Sequence, residues 1–381
     1  MLPGRSTRDG PVPERLPVGF GRRDAPRDVD GTDAANAFPA GATKLDDDIV
    51  GALIPERPAR GHKGSFGKLL VIAGSLDYAG AALLVCRSAG RSGVGLVTLA
   101  VPESLQPLFA AKVVEATTMA LPEDDVEEVD PEPAMARILD HEHDAIVVGP
   151  RLRPGLATTE LVRSLLPITA ETDSAPLVLD AEALRSMATM DGWWTGERRP
   201  AVMTPHAGEF ARLRAGSSDQ PVDDGDLEGD DAARLTAALD AAATWGSVVV
   251  LKGARTIIAA PDGSAAIAPF ENPALATGGT GDVLAGAIGA LLAQGLEPFA
   301  AARAGVYLHG MAGDTGRDRF GDAGMLASDL PDALALARKR LVAATERRTA
   351  TKKLGFAARD SGSVPASPVP ASSPGIPGDL R

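Results

Sequence analysis

The 381-residue chain has one cysteine, Cys86, so it cannot close a disulfide within itself. That scarcity fits a reducing compartment. It also leaves stability to an apolar core, which a chain of this length can bury without covalent staples. No apolar run reaches the roughly 18 residues that a membrane-spanning helix needs. The first residues mix arginine, aspartate, glycine and proline and lack an apolar signal core. The expectation is a cytoplasmic protein without membrane attachment. Excess positive charge is missing too: 38 Lys and Arg face 51 Asp and Glu, a formal charge of −13. The tails do not carry that acid, because residues 1–43 balance to about zero and residues 346–381 are mildly basic. An acidic middle repels nucleic-acid phosphates, which argues against general nucleic-acid binding. A site for phosphorylated ligands in such a chain must supply its own local positive potential.

Several familiar motifs are also absent. Gly64-Ser65-Phe66-Gly67-Lys68 imitates a P-loop, but the pattern's first glycine falls on His62 and Leu69 stands where Ser or Thr is needed. It precedes a predicted strand rather than following one. Gly93-Val94-Gly95 lacks the third glycine of a dinucleotide fingerprint, which falls on Thr98. His141-Glu142-His143 does not put both imidazoles on one helix face, and no further ligands follow at a usual spacing. It reads as a polar surface turn, and no metal ligands are assigned. Cys86 lies in an Ala/Leu/Val stretch and reads as packing.

What is present is an alternation. Short apolar runs at 69–73, 96–101, 145–148, 177–180, 201–203 and 248–251 read as strands, with Ala-rich helical stretches such as 78–92 between them. The runs are apolar throughout, as in strands covered on both faces. The alternation predicts an α/β fold, a three-layer α/β/α sandwich around a mostly parallel sheet. Residues 256–269 flank the turn signal Pro261-Asp262-Gly263 and predict a β-hairpin. From Gly281 to about Arg340 the pattern is mainly helical. Composition divides the chain into a disordered extension (1–43), a folded domain (44–345) and a disordered Pro/Ser-rich tail (346–381), with a mobile acidic loop at 217–230.

In open α/β sheets ligands sit beyond the carboxyl ends of the strands. Five segments fall there: Ala73-Gly74-Ser75, Gly149-Pro150-Arg151, Asp180-Ala181-Glu182, Thr204-Pro205-His206 and Lys252-Gly253-Ala254-Arg255-Thr256. A sixth is the glycine-crowded Asn272-Pro273-Ala274-Leu275-Ala276-Thr277-Gly278-Gly279-Thr280-Gly281-Asp282, which opens a small-residue helix. Free N–H groups at a helix start attract anions, and glycine lets a phosphate approach the backbone. Gly279, Thr280 and Gly281 are the candidate anion hole. Asp282, in the first turn, has two readings: a helix cap, or a base that takes a proton from an attacking hydroxyl in phosphoryl transfer. Lys252 by itself reads as a solvated strand-end lysine. His206 reads either as a helix start or as a site residue, and Glu209 as a carboxylate matched to the helix dipole.

Gly279-Thr280-Gly281-Asp282, with Ala285-Gly286 after it, resembles the anion-hole and base signature of ribokinase-like enzymes. Lys63-Gly64-Ser65-Phe66-Gly67-Lys68 leading into Val71-Ile72-Ala73-Gly74-Ser75 narrows the likeness, as does Tyr78-Ala79-Gly80-Ala81-Ala82. Leu179-Asp180-Ala181-Glu182-Ala183-Leu184, Met203-Thr204-Pro205-His206-Ala207-Gly208-Glu209-Phe210 and Leu251-Lys252-Gly253-Ala254-Arg255-Thr256 narrow it further. In this order, from about residue 45 to 340, they are similar to the ADP-dependent (S)-NAD(P)H-hydrate dehydratases. The resemblance implies a ribokinase-like fold and a hydro-lyase that restores hydrated NADH and NADPH. ADP, or else ATP, would be co-substrate with Mg²⁺, leaving AMP and phosphate.

Carried over by position, Lys252, Gly253, Ala254, Arg255, Thr256 and Gly281 would bind nucleotide. Ala81, Gly149, His206 and Asp282 would bind substrate, and Asp282 would be the catalytic base. The family further implies a homotetramer and a partnering epimerase, expected to be separate because residues 1–43 are too short to hold one. One departure stands out. The family's Gly-Pro-Gly-Leu-Gly loop is here Gly149-Pro150-Arg151-Leu152-Arg153. The arginines could crowd the substrate or could bind its phosphates. Two other functions stay open: a small-molecule alcohol kinase of the same fold, and a catalytically silent nucleotide-binding protein.

Overall fold

A computed structural model describes residues 38–168, 175–217, 227 and 229–360, with side chains as far as residue 350. Residues 1–37, 361–381 and most of the acidic stretch 217–230 lie outside the described residues, and so do the expectations of disorder made for them.

The described strands are β1 (Thr43–Lys44), β2 (Lys68–Ile72), β3 (Leu96–Pro102), β4 (Thr117–Leu121), β5 (Glu123–Asp125), β6 (Glu128–Val129), β7 (Ala145–Val148), β8 (Leu177–Leu179), β9 (Ala201–Met203), β10 (Val248–Leu251), β11 (Ile257–Ala259) and β12 (Ala265–Ile267). The helices are α1 (Asp47–Gly51), α2 (Ala79–Arg91), α3 (Gln106–Ala110), α4 (Pro131–Leu139), α5 (Leu156–Leu165), α6 (Glu182–Ala188), α7 (Ala207–Ser217), α8 (Asp231–Trp245), α9 (Thr280–Ala293), α10 (Pro298–Phe320) and α11 (Leu330–Asp360).

Ten strands form one sheet in the order β1-β12-β11-β10-β9-β8-β7-β2-β3-β4. From β10 across to β4 every pairing is parallel, and β10, β11 and β12 pair antiparallel. The hairpin expected at 256–269 is therefore β11–β12. Alternate residues of each central strand enter different cores. Leu69 and Val71 of β2 pack with α2, α9 and α10, while Leu70 and Ile72 pack with the layer of α4 to α8. Both faces exclude water, which is why these strands carry no polar alternation.

Topology fixes where a ligand can sit. From β2 the chain runs outward to β3 and β4, then returns to β7 on the other side of β2 and continues to β8, β9 and β10. The strand order reverses between β2 and β7, and the loops leaving their carboxyl ends diverge there. They stay tied at the root: Gly74 N–H donates to Pro150 O at 2.9 Å and Gly149 N–H to Ile72 O at 3.2 Å.

The other determinant is α9, of whose 14 residues 13 are buried, so it is a central helix rather than an amphipathic cover. Its glycines have packing roles. A Cβ on Gly286 would lie 2.4 Å from Val85 O, and one on Gly289 would lie 2.3 Å from Val147 Cγ2. The helix is thus pressed between α2 and the sheet with its amino end at the switch region.

Two boundaries differ from the composition-based reading. α11 continues through residues 346–360, where a polar, charged composition predicts disorder. Phe38 and Ala42 already pack against the second core, and Arg255 sits 4.9 Å over the Phe38 ring. The acidic hairpin β5–β6 and strand β4 were not anticipated: the hairpin strands are short and mostly exposed, and β4 buries only Met119 and Leu121, so neither carries a continuous apolar run.

Candidate functional site

Two cavities meet at the carboxyl ends of the central strands. One, of about 770 Å³, opens at the switch region and is walled by Tyr78, Arg151, Asp180, His206, Glu209 and Asp282 among others. The second, of about 610 Å³, lies between the loop after β10 and helices α9 and α10, with Gly253, Ala254, Thr256, Phe270 and His309 in its wall. Lys252 and Gly281 line both. The junction therefore consists of one ammonium and one side-chain-free helix tip, and a Cβ on Gly281 would meet nothing nearer than Lys252 Nζ at 3.6 Å.

The tip is shaped by the glycine-rich segment. Gly279 takes φ +97° at the N-cap of α9 and supplies no side-chain cap. The Thr280 hydroxyl turns back to donate to Leu275 O at 2.8 Å. The Thr280 N–H reaches Thr277 O at 3.3 Å, and the Val283 N–H returns to Gly279 O at 3.2 Å. Among the described residues the N–H groups of Gly281 and Asp282 find no such backbone acceptor, as expected for the first turn of a helix, and they carry its positive dipole end. Behind them His309 Nε2 donates to Thr280 O at 2.9 Å. Burial pushes His309 down to about 4, so its ring stays neutral and holds that tautomer. Where the sequence places an anion hole, the helix tip is formed by Gly281 and Asp282 backbone, with Gly279 and Thr280 setting its shape.

Asp282 is 8% exposed. Burial raises its pKa to about 6, and Asp180 adds to the rise, while Arg151 and Lys252 oppose it. A carboxylate held there is mostly ionised at neutral pH yet basic enough to accept a proton. Lys252 Nζ donates to Asp180 Oδ1 at 3.0 Å and lies 3.8 Å from Glu209 Oε2. Burial works against its charge, but Asp180, Glu209 and Asp282 outweigh burial and raise its pKa. The Thr204 hydroxyl donates to Asp180 at 2.8 Å and completes the anchor.

His206 starts a helix, as one of its readings had it, and it also lines the larger cavity. Its Nδ1 accepts from the Gly208 N–H at 3.1 Å, and Glu209 accepts from the His206 N–H at 3.0 Å, a reciprocal cap on α7. Partial burial lowers its pKa against the pull of Glu209, which leaves the ring neutral while one edge faces the cleft.

Three sequence expectations come out differently in space. Ala81 is buried in the first turn of α2 and does not line the cleft; Ser75 and Tyr78 from the preceding turn do. Gly149 shapes the wall from behind, since at φ +118° a Cβ would fall 1.9 Å from Asp180 O. Arg255 turns out of the smaller cavity to pair with Glu271 at 2.5 Å and Asp231 at 3.3 Å.

The residue that reaches under this loop is Arg234, which sequence reading missed. It is buried, donating through Nη1 to Arg255 O at 2.9 Å and Asp231 Oδ1 at 2.8 Å, and through Nη2 to Leu251 O at 3.3 Å. A Cβ on Gly253 would fall 2.3 Å from its Nη2. By drawing carbonyls inward, Arg234 sets the curvature of 251–255. Its only sequence trace is an arginine interrupting the buried face of α8.

Backbone strain concentrates here as well. Among the described residues three non-glycine positions have positive φ: Glu127 (+63°), Arg151 (+54°) and Ala181 (+50°). All three line the larger cavity. Such conformations cost about 1–3 kcal/mol each and tend to gather at functional sites.

Residues 69–336 match the family described as NAD(P)H-hydrate dehydratase. The chain is 42% identical over 284 residues to a bifunctional NAD(P)H-hydrate repair enzyme of Moorella thermoacetica, covering 74% of this chain and 51% of that protein. It is 36% identical to the ADP-dependent (S)-NAD(P)H-hydrate dehydratase of Bacillus subtilis, covering 76% of this chain and 96% of that one. Thus the chain spans about half the length of the bifunctional relatives. A solved structure of the ADP/ATP-dependent dehydratase from Bacillus subtilis, co-crystallized with ATP/Mg²⁺, superposes with a TM-score of 0.66 at 33% identity, covering 79% of this chain and 99% of that one.

Proposed function

Because the chain belongs to the NAD(P)H-hydrate dehydratase family and has its ribokinase-like fold, we propose that it restores hydrated NADH and NADPH at the expense of ADP. The observation that carries this reading is the shared wall: two cavities, one basic carboxylate, and one ammonium joined at the Gly281 tip. A nucleotide in the smaller cavity would extend its phosphates toward Lys252 and the Gly281 N–H. A hydrated nicotinamide ring in the larger one would bring its hydroxyl to Asp282.

In this proposal Asp282 takes the hydroxyl proton as that oxygen bonds to the terminal phosphorus of ADP. The bond from that phosphorus to the bridging oxygen breaks, and AMP leaves. Inorganic phosphate then departs from that ester with the carbon–oxygen bonding pair, the neighbouring carbon gives a proton to solvent, and the ring double bond returns. A hydroxyl leaves poorly and a phosphate well, which is why a nucleotide is consumed. The positive charges of Lys252 and the helix tip are placed for the charge that develops on the transferring group.

Mg²⁺ belongs with the nucleotide. Among the described residues no cluster of three His, Cys, Asp or Glu side chains could hold a metal. An ion bound chiefly by phosphate oxygens and water fits that donor set. It would supply charge neutralisation on the transferring phosphoryl. Among the described residues no helix is long and apolar enough to cross a membrane. A reducing cytoplasm, which the scarcity of cysteine suits, is part of the proposal. A tetrameric assembly and a companion epimerase activity belong to it as well.

The test mixes hydrated NADH, ADP and Mg²⁺ and follows the absorbance of reduced nicotinamide. Recovery of NADH with release of inorganic phosphate is expected. A stable phosphate ester would mark an alcohol kinase instead, and nucleotide binding without turnover would mark a silent binding protein.

A further inference from the structure

The larger cavity poses an electrostatic problem. Asp77, Asp125, Glu127, Asp180, Glu182 and Glu209 line it together with Asp282, yet a dinucleotide must bring its own negative pyrophosphate there. Four long cations face the same space: Arg151, Arg153, Arg185 and Lys252.

Three of the four are engaged. Lys252 is paired with Asp180 and Glu209. Arg185 lies 4.0 Å from Glu182. Arg153 donates to Val126 O at 2.7 Å and lies 3.7 Å from Glu128, so it latches the β5–β6 hairpin to the loop after β7. Glu127 of that hairpin accepts from the Leu76 N–H at 3.2 Å on the opposite rim. Arg151 is different: among the described residues no carboxylate lies within ion-pair distance of it, its charge reaches Asp282 only from farther off, and its guanidinium lies 4.7 Å over the Tyr78 ring.

Its position is held against strain. The backbone of Arg151 is left-handed at φ +54°. Pro150 O accepts from Gly74, Leu152 N–H donates to Gly149 O at 3.1 Å, and the Leu152 side chain is buried. These neighbours impose the conformation. The ring of Tyr78 restricts the guanidinium further, so less rotamer freedom is left to lose on binding.

We propose that Arg151 is a specificity-determining residue that grips the pyrophosphate of the dinucleotide substrate, while Arg153 serves only to latch the hairpin. A planar guanidinium offers two parallel donors to a phosphate, a geometry an ammonium cannot match. The assignment rests on the hydratase-repair reading above and answers what the two arginines of this loop do: they do not fill the cleft, and they divide its rim between binding and support.

The test compares Arg151→Gly and Arg151→Lys with the wild type. Glycine accepts the left-handed backbone, so loss of fold is not the expected result. The readout is the ratio of kcat/KM for hydrated NADH to that for hydrated reduced nicotinamide riboside, which has no phosphate. Arg151→Gly is expected to lower this ratio about tenfold, through KM for the dinucleotide, and lysine to restore part of it. Added salt should weaken NADH binding, followed by its fluorescence, more in the wild type than in Arg151→Gly. An unchanged ratio together with equal salt dependence would overturn the proposal, as would an equal loss on both substrates. If the wild type restores no NADH at all, the functional reading fails; the fluorescence comparison then still decides whether Arg151 holds a dinucleotide.

Discussion

Lys252 Nζ donates to Asp180 Oδ1 at 3.0 Å, joining two loops that are 72 residues apart in the chain. Asp180 does two things at once: it anchors the ammonium and raises the pKa of Asp282 by repulsion. Asp180→Asn removes the repulsion and leaves Lys252 freer to favour the ionised Asp282. The wild-type kcat/KM is expected to rise with pH through an apparent pKa near 6 and then level off, since the base must be ionised. In Asp180→Asn that limb should move to lower pH. A pH–rate profile that does not move would exclude the coupling.

Asp282→Asn should reduce kcat by about 10²–10⁴, the range for loss of a general base. The same change is expected to stabilise the fold. The folded carboxyl sits at about 6 against 3.8 when unperturbed, so its ionised form costs the native state up to ~3 kcal/mol. The sign follows: the wild type gives up this stability as pH rises from about 4 to 6, and the deficit is constant above. Thermal unfolding of both proteins at pH 4 and pH 8 checks it, with the variant's advantage present only at pH 8.

Arg234→Met removes the support beneath the loop that carries Lys252. Breaking a buried, hydrogen-bonded charge network costs about 3–5 kcal/mol, so a lower Tm is expected. The sharper expectation is a KM for ADP raised at least about tenfold, with KM for hydrated NADH changed far less. Equal effects on both substrates in steady-state kinetics would mean general loosening rather than support of one loop.

Gly149→Ala and Gly281→Ala should separate packing from binding. At Gly149 the added methyl would fall 1.9 Å from Asp180 O and the backbone has φ +118°, so the fold should lose about 2 kcal/mol or more. At Gly281 the space is open except for Lys252 Nζ at 3.6 Å. That variant should unfold at nearly the wild-type temperature yet bind ADP markedly more weakly, because the methyl covers the helix tip. Calorimetric unfolding and nucleotide titration of the pair give the comparison.

Much of the architecture was readable beforehand because it is written in continuous apolar runs. β7, β9 and β10 have the bounds their runs suggested, and the hairpin at 256–269 followed from its turn residues. The short acidic hairpin β5–β6 was not readable, since of its strand residues only Val129 is buried and its place depends on Arg153 and Leu76 from distant loops. Nor was the helical course of 346–360, which composition assigns to a tail. Lys252, Gly281, Asp282 and His206, singled out by motif, all line the larger cavity, whereas Arg234 had no motif to announce it.

The amino-acid order determined by itself that a glycine-rich tip would open a small-residue helix, that an aspartate would stand in its first turn, and that a lysine would end a buried strand. Those are local matters of backbone freedom and apolar period. Only the tertiary structure decided that Ala81 and Arg255 would face away from the cavities, and that among the described residues Arg153 would meet a carboxylate at ion-pair distance while Arg151 would not. The physical reason is that a long side chain's partner is set by which loops the sheet order brings together. Spacing along the chain says nothing of that distance.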